Sequence, residues 1–318
     1  ILVNRSVVRL FEHVPPLNAV GGNPDPGREV VSFETSDGLT LSGSIIWPDA
    51  TQPRGLILFC HEVSGNQLSA RSYCDGLIEA GFAVFAFDFR NHGRSEQMEG
   101  YDPLHWLTDY ELGDARAALR FIVGRDDLSR LPLGIFGVSR GGAAALALAA
   151  ESPEFSCIAC DGAYTTNRMM RVFARRWATL LTPAWAHWML AQWYVDTSLF
   201  LGRLRSEMNR GVRYVRLERC LRKLAGRPVF LISGQRDSYV LPEISESVQK
   251  TLGPATTDLW IVRGARQNRA RQKTTREYDE RLVTFFEKHL VETSGHVSLD
   301  GLRVVSEIRP TADRLTSS

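Results

Sequence analysis

The sequence predicts an α/β fold with a mostly parallel central sheet, helices on both faces of that sheet and one helical insertion. Short, continuously apolar runs, as found in buried strands, alternate along the chain with amphipathic or alanine-rich segments of helical length. This alternation is typical of strands joined by crossover helices. With 318 residues, 44% of them hydrophobic and 23% charged, the chain is long enough to bury such a core in one domain.

Each element follows from a local pattern. An antiparallel hairpin comes first, because Glu29–Thr35 and Leu39–Trp47 flank an Asp-Gly turn at Asp37-Gly38. The apolar runs predicted as the next strands are Leu56–Cys60, Phe82–Phe87, Leu133–Val138, Phe155–Ala159, Pro228–Ser233 and Asp258–Val262. Helical spacing predicts helices over Leu68–Ala80, His105–Val123, Gly141–Ala150, a segment that begins at Glu243, and Arg269–His289.

The alternation stops between Asp161 and Pro228, where apolar side chains recur at helical spacing on both sides of Pro183. We expect an insertion at about residues 163–220 that covers the carboxyl ends of the strands as a cap. Its tryptophans, Trp193 among them, are expected to form the core of the cap. If they line a pocket instead, they favour an apolar substrate, and the candidates are Trp177, Trp185 and Trp188. The remaining divisions are an irregular lead-in (1–28), the main domain (29–290) and a polar tail (291–318).

Charge and composition exclude several classes of function. Lys and Arg number 38 against 36 Asp and Glu, so global charge gives no case for nucleic-acid binding. No apolar run reaches the 18 residues of a membrane-spanning helix, although a signal or anchor before Ile1 stays open. The five cysteines follow no disulfide or zinc pattern, which favours a reducing, cytoplasmic compartment and predicts no metal.

Five arginines recur at every third position after the insertion's apolar segments: Arg210, Arg213, Arg216, Arg219 and Arg222. At helical pitch they spread over a broad face, so a solvated surface is the favoured interpretation, and a surface for anionic lipid or for an acidic substrate is the alternative. The sequence specifies no oligomeric state.

The clearest chemical motif is Gly137-Val138-Ser139-Arg140-Gly141, which reads G-x-S-x-G. An apolar strand precedes it and a helix of small residues follows it, as in a nucleophile elbow. In such an elbow the serine occupies a strained turn with no room for neighbouring side chains, and the helix directs its N-terminus at the reacting group. Ser139 is therefore the predicted nucleophile.

Four strings together resemble the serine hydrolases of the α/β-hydrolase superfamily: HEVSGN from His61, FDFRNHGRSE from Phe87, GVSRGG from Gly137 and SGQRDSYV from Ser233. The resemblance covers roughly residues 29–290 and is nearest to bacterial esterase- or lipase-like members with a helical cap. It implies hydrolysis of an ester-like substrate without a cofactor. A serine at the elbow disfavours the epoxide hydrolases and haloalkane dehalogenases of the fold, which use aspartate there.

The resemblance also assigns roles near the serine. It implies an oxyanion hole formed by the backbone N–H groups of Val63 and Arg140. His61 is interpreted as a brace of its loop rather than as the catalytic base, and with Glu62 it is a candidate pocket residue. His92 is interpreted as structural.

The superfamily's order is serine, then an acid, then histidine. Asp237 follows the predicted strand 228–233 and is the predicted acid, with Asp161 as the alternative. The histidine is expected on the loop after strand 258–262, where Gln267 stands instead. Glutamine cannot accept and return a proton near neutral pH. His289 and His296 are the remaining histidines beyond Asp237, and neither is favoured as a substitute.

Two functions follow from these observations. The favoured one is a serine hydrolase of carboxylic esters or related acyl substrates, impaired because Gln267 occupies the histidine position. The alternative is a non-catalytic binding protein that keeps the pocket. Nucleotide binding is disfavoured because no G-x-G-x-x-G is present.

Overall fold

The predicted hairpin forms the first two strands of a mixed sheet. The structure, a computed structural model, describes residues 7–9, 11–15, 27–181 and 192–291, without the side chains of 175–181 and 192. Within these residues the sheet has eight strands: β1 (Arg28–Glu34), β2 (Thr40–Ile46), β3 (Leu56–Cys60), β4 (Ala83–Phe87), β5 (Leu133–Val138), β6 (Phe155–Asp161), β7 (Val229–Gly234) and β8 (Thr257–Val262). Their order is β1-β2-β4-β3-β5-β6-β7-β8. Only β2 pairs antiparallel with its neighbours β1 and β4, so the predicted fold class is confirmed.

Helices connect the parallel strands. They are α1 (Ser69–Glu79), α2 (Asp109–Val123), α3 (Asp126–Ser129), α4 (Arg140–Ala149), α5 (Thr166–Leu181), α6 (Gln192–Arg210), α7 (Leu217–Lys223), α8 (Pro242–Leu252), α9 (Ala270–Lys273) and α10 (Thr275–Phe286), followed by a π-helical turn at Glu287–Val291. The predicted helix from His105 actually begins at Asp109, because Thr108 and Glu111 form a capping box that fixes the start. The single helix predicted over Arg269–His289 is divided at Thr274, which lies outside helical geometry.

The strands alternate their side chains between two apolar layers. Leu56 and Leu58 face one layer, which contains α2 and the wholly buried helix α4. Ile57 and Phe59 face the other, which is formed by α1 and α10. Because both faces are covered, the central strands are apolar at every position, as predicted from their continuous runs.

The insertion between β6 and β7 contains α5, α6 and α7. Its last part is tied to the start of α2 and the residues just before it, since the backbone N–H of Asp109 donates to the Arg213 carbonyl and that of Val215 donates to the Leu107 carbonyl. Residues 7–9 and 11–12, in the segment predicted to be irregular, are helical. There Phe11 is buried against Trp106. Within the described residues, no helix is both long and apolar enough to cross a membrane.

Candidate active site

Ser139 lies in a sharp turn between β5 and α4. Its backbone has φ 52° and ψ −116°, a left-handed conformation that costs a non-glycine residue free energy. The turn is held because the Ser139 N–H donates to the Asp161 carbonyl at 2.7 Å and the Ser139 carbonyl accepts from Ala143 at 3.2 Å. A strained serine between a strand and a helix is the geometry that the G-x-S-x-G motif predicts.

The glycines of the motif are required by close backbone approach. A Cβ on Gly137 would lie 2.5 Å from the Gly141 carbonyl carbon. A Cβ on Gly141 would overlap the Cys60 carbonyl and lie 2.5 Å from the His61 carbonyl oxygen. The first turn of α4 is therefore packed directly on the loop that follows β3, which brings Arg140 beside the segment containing Val63.

His61 braces that loop. Its Nδ1 lies 2.7 Å from the Glu62 carbonyl, and its Nε2 accepts the Phe89 N–H at 3.2 Å. Burial and the nearby His92 lower the pKa of His61 well below its usual value, so the ring is neutral, with a proton on Nδ1. The ring is wholly buried and both of its nitrogens are engaged. His61, a candidate pocket residue from the sequence, therefore does not lie on a pocket wall.

A buried polar network lies between the two predicted oxyanion donors. His92 Nε2 is 2.9 Å from the Val63 carbonyl and 3.1 Å from Nη2 of Arg140. The Arg140 guanidinium also donates to the Leu104 carbonyl at 3.1 Å and to Oε1 of the buried Glu111 at 3.3 Å. Burial, followed by the positive charge of Arg140, lowers the pKa of His92 to about 4. His92 is thus a neutral structural link between the loop after β3 and the start of α4, as its sequence position suggested.

The loops after β7 and β8 are joined to each other. The Arg236 N–H donates to the Ala265 carbonyl at 2.8 Å, and the Gly264 N–H donates to Oε1 of Gln235 at 3.0 Å. A Cβ on Gly234 would lie 2.7 Å from the same Ala265 carbonyl, so only glycine allows this approach. The contacts bring the loop that carries Asp237 against the loop that carries Gln267.

Asp237 is buried, and its Oδ1 accepts the N–H groups of Tyr239 at 2.8 Å and Val240 at 2.9 Å. Burial raises the pKa of Asp237 to about 6, although these two hydrogen bonds favour the ionised form. No hydrogen bond from a described residue reaches Oδ2 of Asp237.

Gln267 is half-buried and forms no hydrogen bond with Ser139 or Asp237, all three of which the structure describes. Its neighbour Asn268 has φ 54°, and its buried Oδ1 has no hydrogen-bond partner in the described part of the chain. That oxygen lies 4.0 Å from the position that a Cβ on Gly162 would occupy. The same position is 3.9 Å from the Ser139 Cα. The loop after β8 therefore reaches the serine turn. The sequence analysis did not single out Asn268. Asparagine tolerates left-handed backbone better than most residues, and this was the signal that could have pointed to it.

Asp161, the alternative acid, lies at the end of β6 beside the serine turn. Its Oδ2 accepts the Tyr278 hydroxyl at 3.0 Å, a partner that the sequence did not reveal. Burial raises the pKa of Asp161 to about 7, the Tyr278 hydrogen bond opposes this, and the carboxyls of Asp237 and Glu62 raise it further. Burial also raises the pKa of Glu62, whose Oε2 has no hydrogen-bond partner among the described residues. Three carboxyl groups thus share this end of the sheet.

The other predicted site residues fall elsewhere. His289 adjoins Leu290, whose side chain lies 2.8 Å from the position of a Cβ on Gly55, just before β3. This is the amino end of the strands, opposite Ser139, so His289 cannot serve as the base. Trp185, Trp188 and His296 lie outside the described residues, as does the side chain of Trp177.

Comparison with known proteins gives the class. The family model described as serine aminopeptidase, S33, matches residues 51–266, and the chain belongs to this family of α/β hydrolases. The match ends one residue before Gln267.

Curated relatives match about half of the chain. The chain is 32% identical to YfhR of Escherichia coli K12 over 147 residues, 45% of this chain and 48% of YfhR. It is 28% identical to Rv2307c of Mycobacterium tuberculosis over 149 residues, 46% and 50% of the two chains. The chain thus spans about half the length of the curated relatives it matches.

Among solved structures, the Pyrococcus furiosus esterase Pf2001 is similar with a TM-score of 0.64 and 21% identity, covering 87% of this chain and 99% of that one. The esterase domain of a Rhodothermus marinus protein has a TM-score of 0.56 and 22% identity, covering 83% and 99%. At these identities the likeness establishes the fold.

Proposed function

We propose that this chain is a serine hydrolase of carboxylic esters or related acyl substrates that acts through an acyl-enzyme on Ser139 and is impaired by Gln267. The observation that carries the proposal is the strained Ser139 turn, with φ 52°, at the point where the loops after β3, β6 and β8 meet. Strain at a serine is retained where function requires that geometry. Two structural neighbours are an esterase and an esterase domain, which favours esters as the substrate class.

The proposed reaction has two steps. Ser139 Oγ bonds to the carbonyl carbon, the Val63 and Arg140 N–H groups receive the negative oxygen, and the alcohol leaves as the carbon–oxygen bond breaks. Water then attacks the acyl-serine, and the acid is released while the serine regains its proton. In both steps a proton moves from the attacking oxygen to the leaving oxygen, which is the task of a base at position 267.

Gln267 would stop this proton transfer, because an amide neither accepts nor returns a proton near neutral pH. The remaining groups would still bind and polarise the substrate, which in other triads leaves about 10³- to 10⁴-fold acceleration over water. Serine and histidine act as a unit in such triads, and losing one costs on the order of 10⁶ in turnover. We therefore expect the unmodified chain to hydrolyse simple esters barely or not at all.

The test is to compare the unmodified chain with Gln267→His on short p-nitrophenyl esters and an aminoacyl p-nitroanilide at neutral pH. We expect Gln267→His to raise turnover by at least about 10³-fold, because Asp237 lies on the loop joined to this one and would orient the new histidine. Gln267→Asn, which changes the side chain without adding a base, is the matched control and should stay inactive. Ser139→Ala in the Gln267→His background should abolish the gained activity.

Vigorous turnover by the unmodified chain would contradict the assignment of position 267. A folded but inert Gln267→His variant would favour the second candidate, a binding protein that retained the hydrolase fold. The observation in favour of that candidate is Gln267 itself, half-buried on the loop that reaches the serine turn, at the position where a histidine is expected. Labelling of Ser139 by a fluorophosphonate would separate a reactive serine from an inert one.

A further inference from the structure

Helix α6 in the insertion has two unlike faces. On one face Leu199 and Ser206 are buried, and the Ser206 hydroxyl is 2.9 Å from the Tyr214 hydroxyl. Gly202, on the same face, is packed against Val7 near the start of the chain. This face attaches the helix to the body of the protein.

The opposite face is apolar and exposed. It consists of five side chains, here called the outer stripe, which are 41–70% exposed: Trp193, Phe200, Leu201, Leu204 and Met208. At 3.6 residues per turn they fall within an arc of about 100°. Trp193 was expected to pack in the core of the insertion. The structure corrects this expectation, since Trp193 is the most exposed of the five side chains. An apolar stripe of this kind on a protein surface marks an interaction site.

The insertion that carries the outer stripe is positively charged. Exposed Arg205 borders one edge of the stripe, and the two acidic residues of α6, near its other edge, already accept hydrogen bonds. Asp196 accepts Nε of Arg171 at 2.8 Å, and Glu207 accepts the Tyr214 N–H at 3.0 Å. Residues 163–220 contain ten Arg and three Asp or Glu, a net charge of +7, although the whole chain carries only +2. The positive charge of the protein is thus concentrated in the insertion.

We propose that the outer stripe of α6 docks on an anionic lipid bilayer, with its apolar side chains in the interface and the arginines of the insertion at the headgroups. An exposed apolar face with aromatic residues, on a segment rich in arginine, is the composition of helices that lie in membrane interfaces. A second copy of the chain fits less well, because pairing two stripes would bring two insertions of +7 together. The helix lies on the membrane and does not cross it.

The test is co-sedimentation of the full chain with vesicles of phosphatidylcholine alone or mixed with phosphatidylglycerol. We expect binding to the mixed vesicles that weakens as salt is added, because each arginine at a charged surface contributes about fivefold in affinity. A triple variant with Phe200→Ser, Leu204→Ser and Met208→Ser should bind at least tenfold more weakly, with unchanged thermal unfolding. Val30→Ser with Val123→Ser, at exposed apolar positions on β1 and α2, is the matched control and should bind normally.

Trp193 gives an independent readout. Brominated lipids should quench its fluorescence, and the quenching should be lost in Trp193→Phe. Equal binding by the triple variant, binding to neutral vesicles with no effect of salt, or no binding at all would overturn the proposal. It would also be overturned if the unmodified chain were a dimer and the triple variant a monomer, since the stripe would then join two copies. None of these results depends on the chemistry at Ser139.

Discussion

Asp161 is a buried carboxyl group whose pKa the fold raises to near neutrality. It is 2% exposed, accepts the Tyr278 hydroxyl at 3.0 Å, and has a pKa of about 7 rather than 3.8. Burial is the main cause, and the neighbouring carboxyls of Asp237 and Glu62 add to it. A group whose pKa is higher in the folded state binds its proton more tightly there, so folding is favoured at low pH. That contribution is complete below about pH 3.8 and is lost as the pH rises through about 7.

The size of the effect follows from the two pKa values. A difference of about three pH units corresponds to about 4 kcal/mol in the free energy of unfolding. Asp161→Asn removes the titration, and its amide oxygen can still accept the Tyr278 hydroxyl. We expect the variant to be more stable than the unmodified chain by up to about 4 kcal/mol at pH 8, and the two to be nearly equal close to pH 4.

Urea unfolding followed by fluorescence at pH 4, 6 and 8 measures this difference. Asp258→Asn, at an exposed position on β8, is the control and should change little at any of these pH values. A gain for Asp161→Asn that is the same at pH 4 and pH 8 would refute the reasoning, because it could not come from titration. If Asp161→Asn lowered the free energy of unfolding at pH 8, the surroundings of Asp161 would stabilise its ionised form. That result would contradict the effect of burial.

Two further predictions concern the site. In the Gln267→His background, Asp237→Asn should reduce turnover by about 10⁴-fold and Asp161→Asn by less than about tenfold, because the loop that carries Asp237 is hydrogen-bonded to the loop that carries residue 267; the reverse order in ester hydrolysis would make Asp161 the acid. Gly141→Ala should cost at least about 2 kcal/mol in urea unfolding, because its Cβ would overlap the Cys60 carbonyl. Gly113→Ala, in the interior of α2 with no atom within 4 Å of the added Cβ, should instead stabilise the protein by up to about 1 kcal/mol; similar effects of the two changes would contradict the close approach at Gly141.

The sequence specified the sheet and the serine turn because both depend on local patterns. Continuous apolar runs predicted the central strands, and the glycines around Ser139 predicted a turn without room for side chains. The spacing of apolar residues also placed the start of α2 too early in the chain. Trp106 and Leu107 are apolar because they are buried in the core, and only the capping of Thr108 by Glu111 showed that they precede the helix.

Non-local packing decided the rest. The sequence left His289 open as a base, and only the fold placed it at the end of the sheet away from Ser139. The pKa of Asp161 arises from burial and from carboxyl groups distant in sequence, which no local pattern encodes. The helical spacing on both sides of Pro183 predicted helices in the insertion, but not which face of α6 turns inward. Burial of Leu199 and Ser206 against the rest of the chain settles that choice, and leaves Trp193, Leu204 and Met208 facing outward.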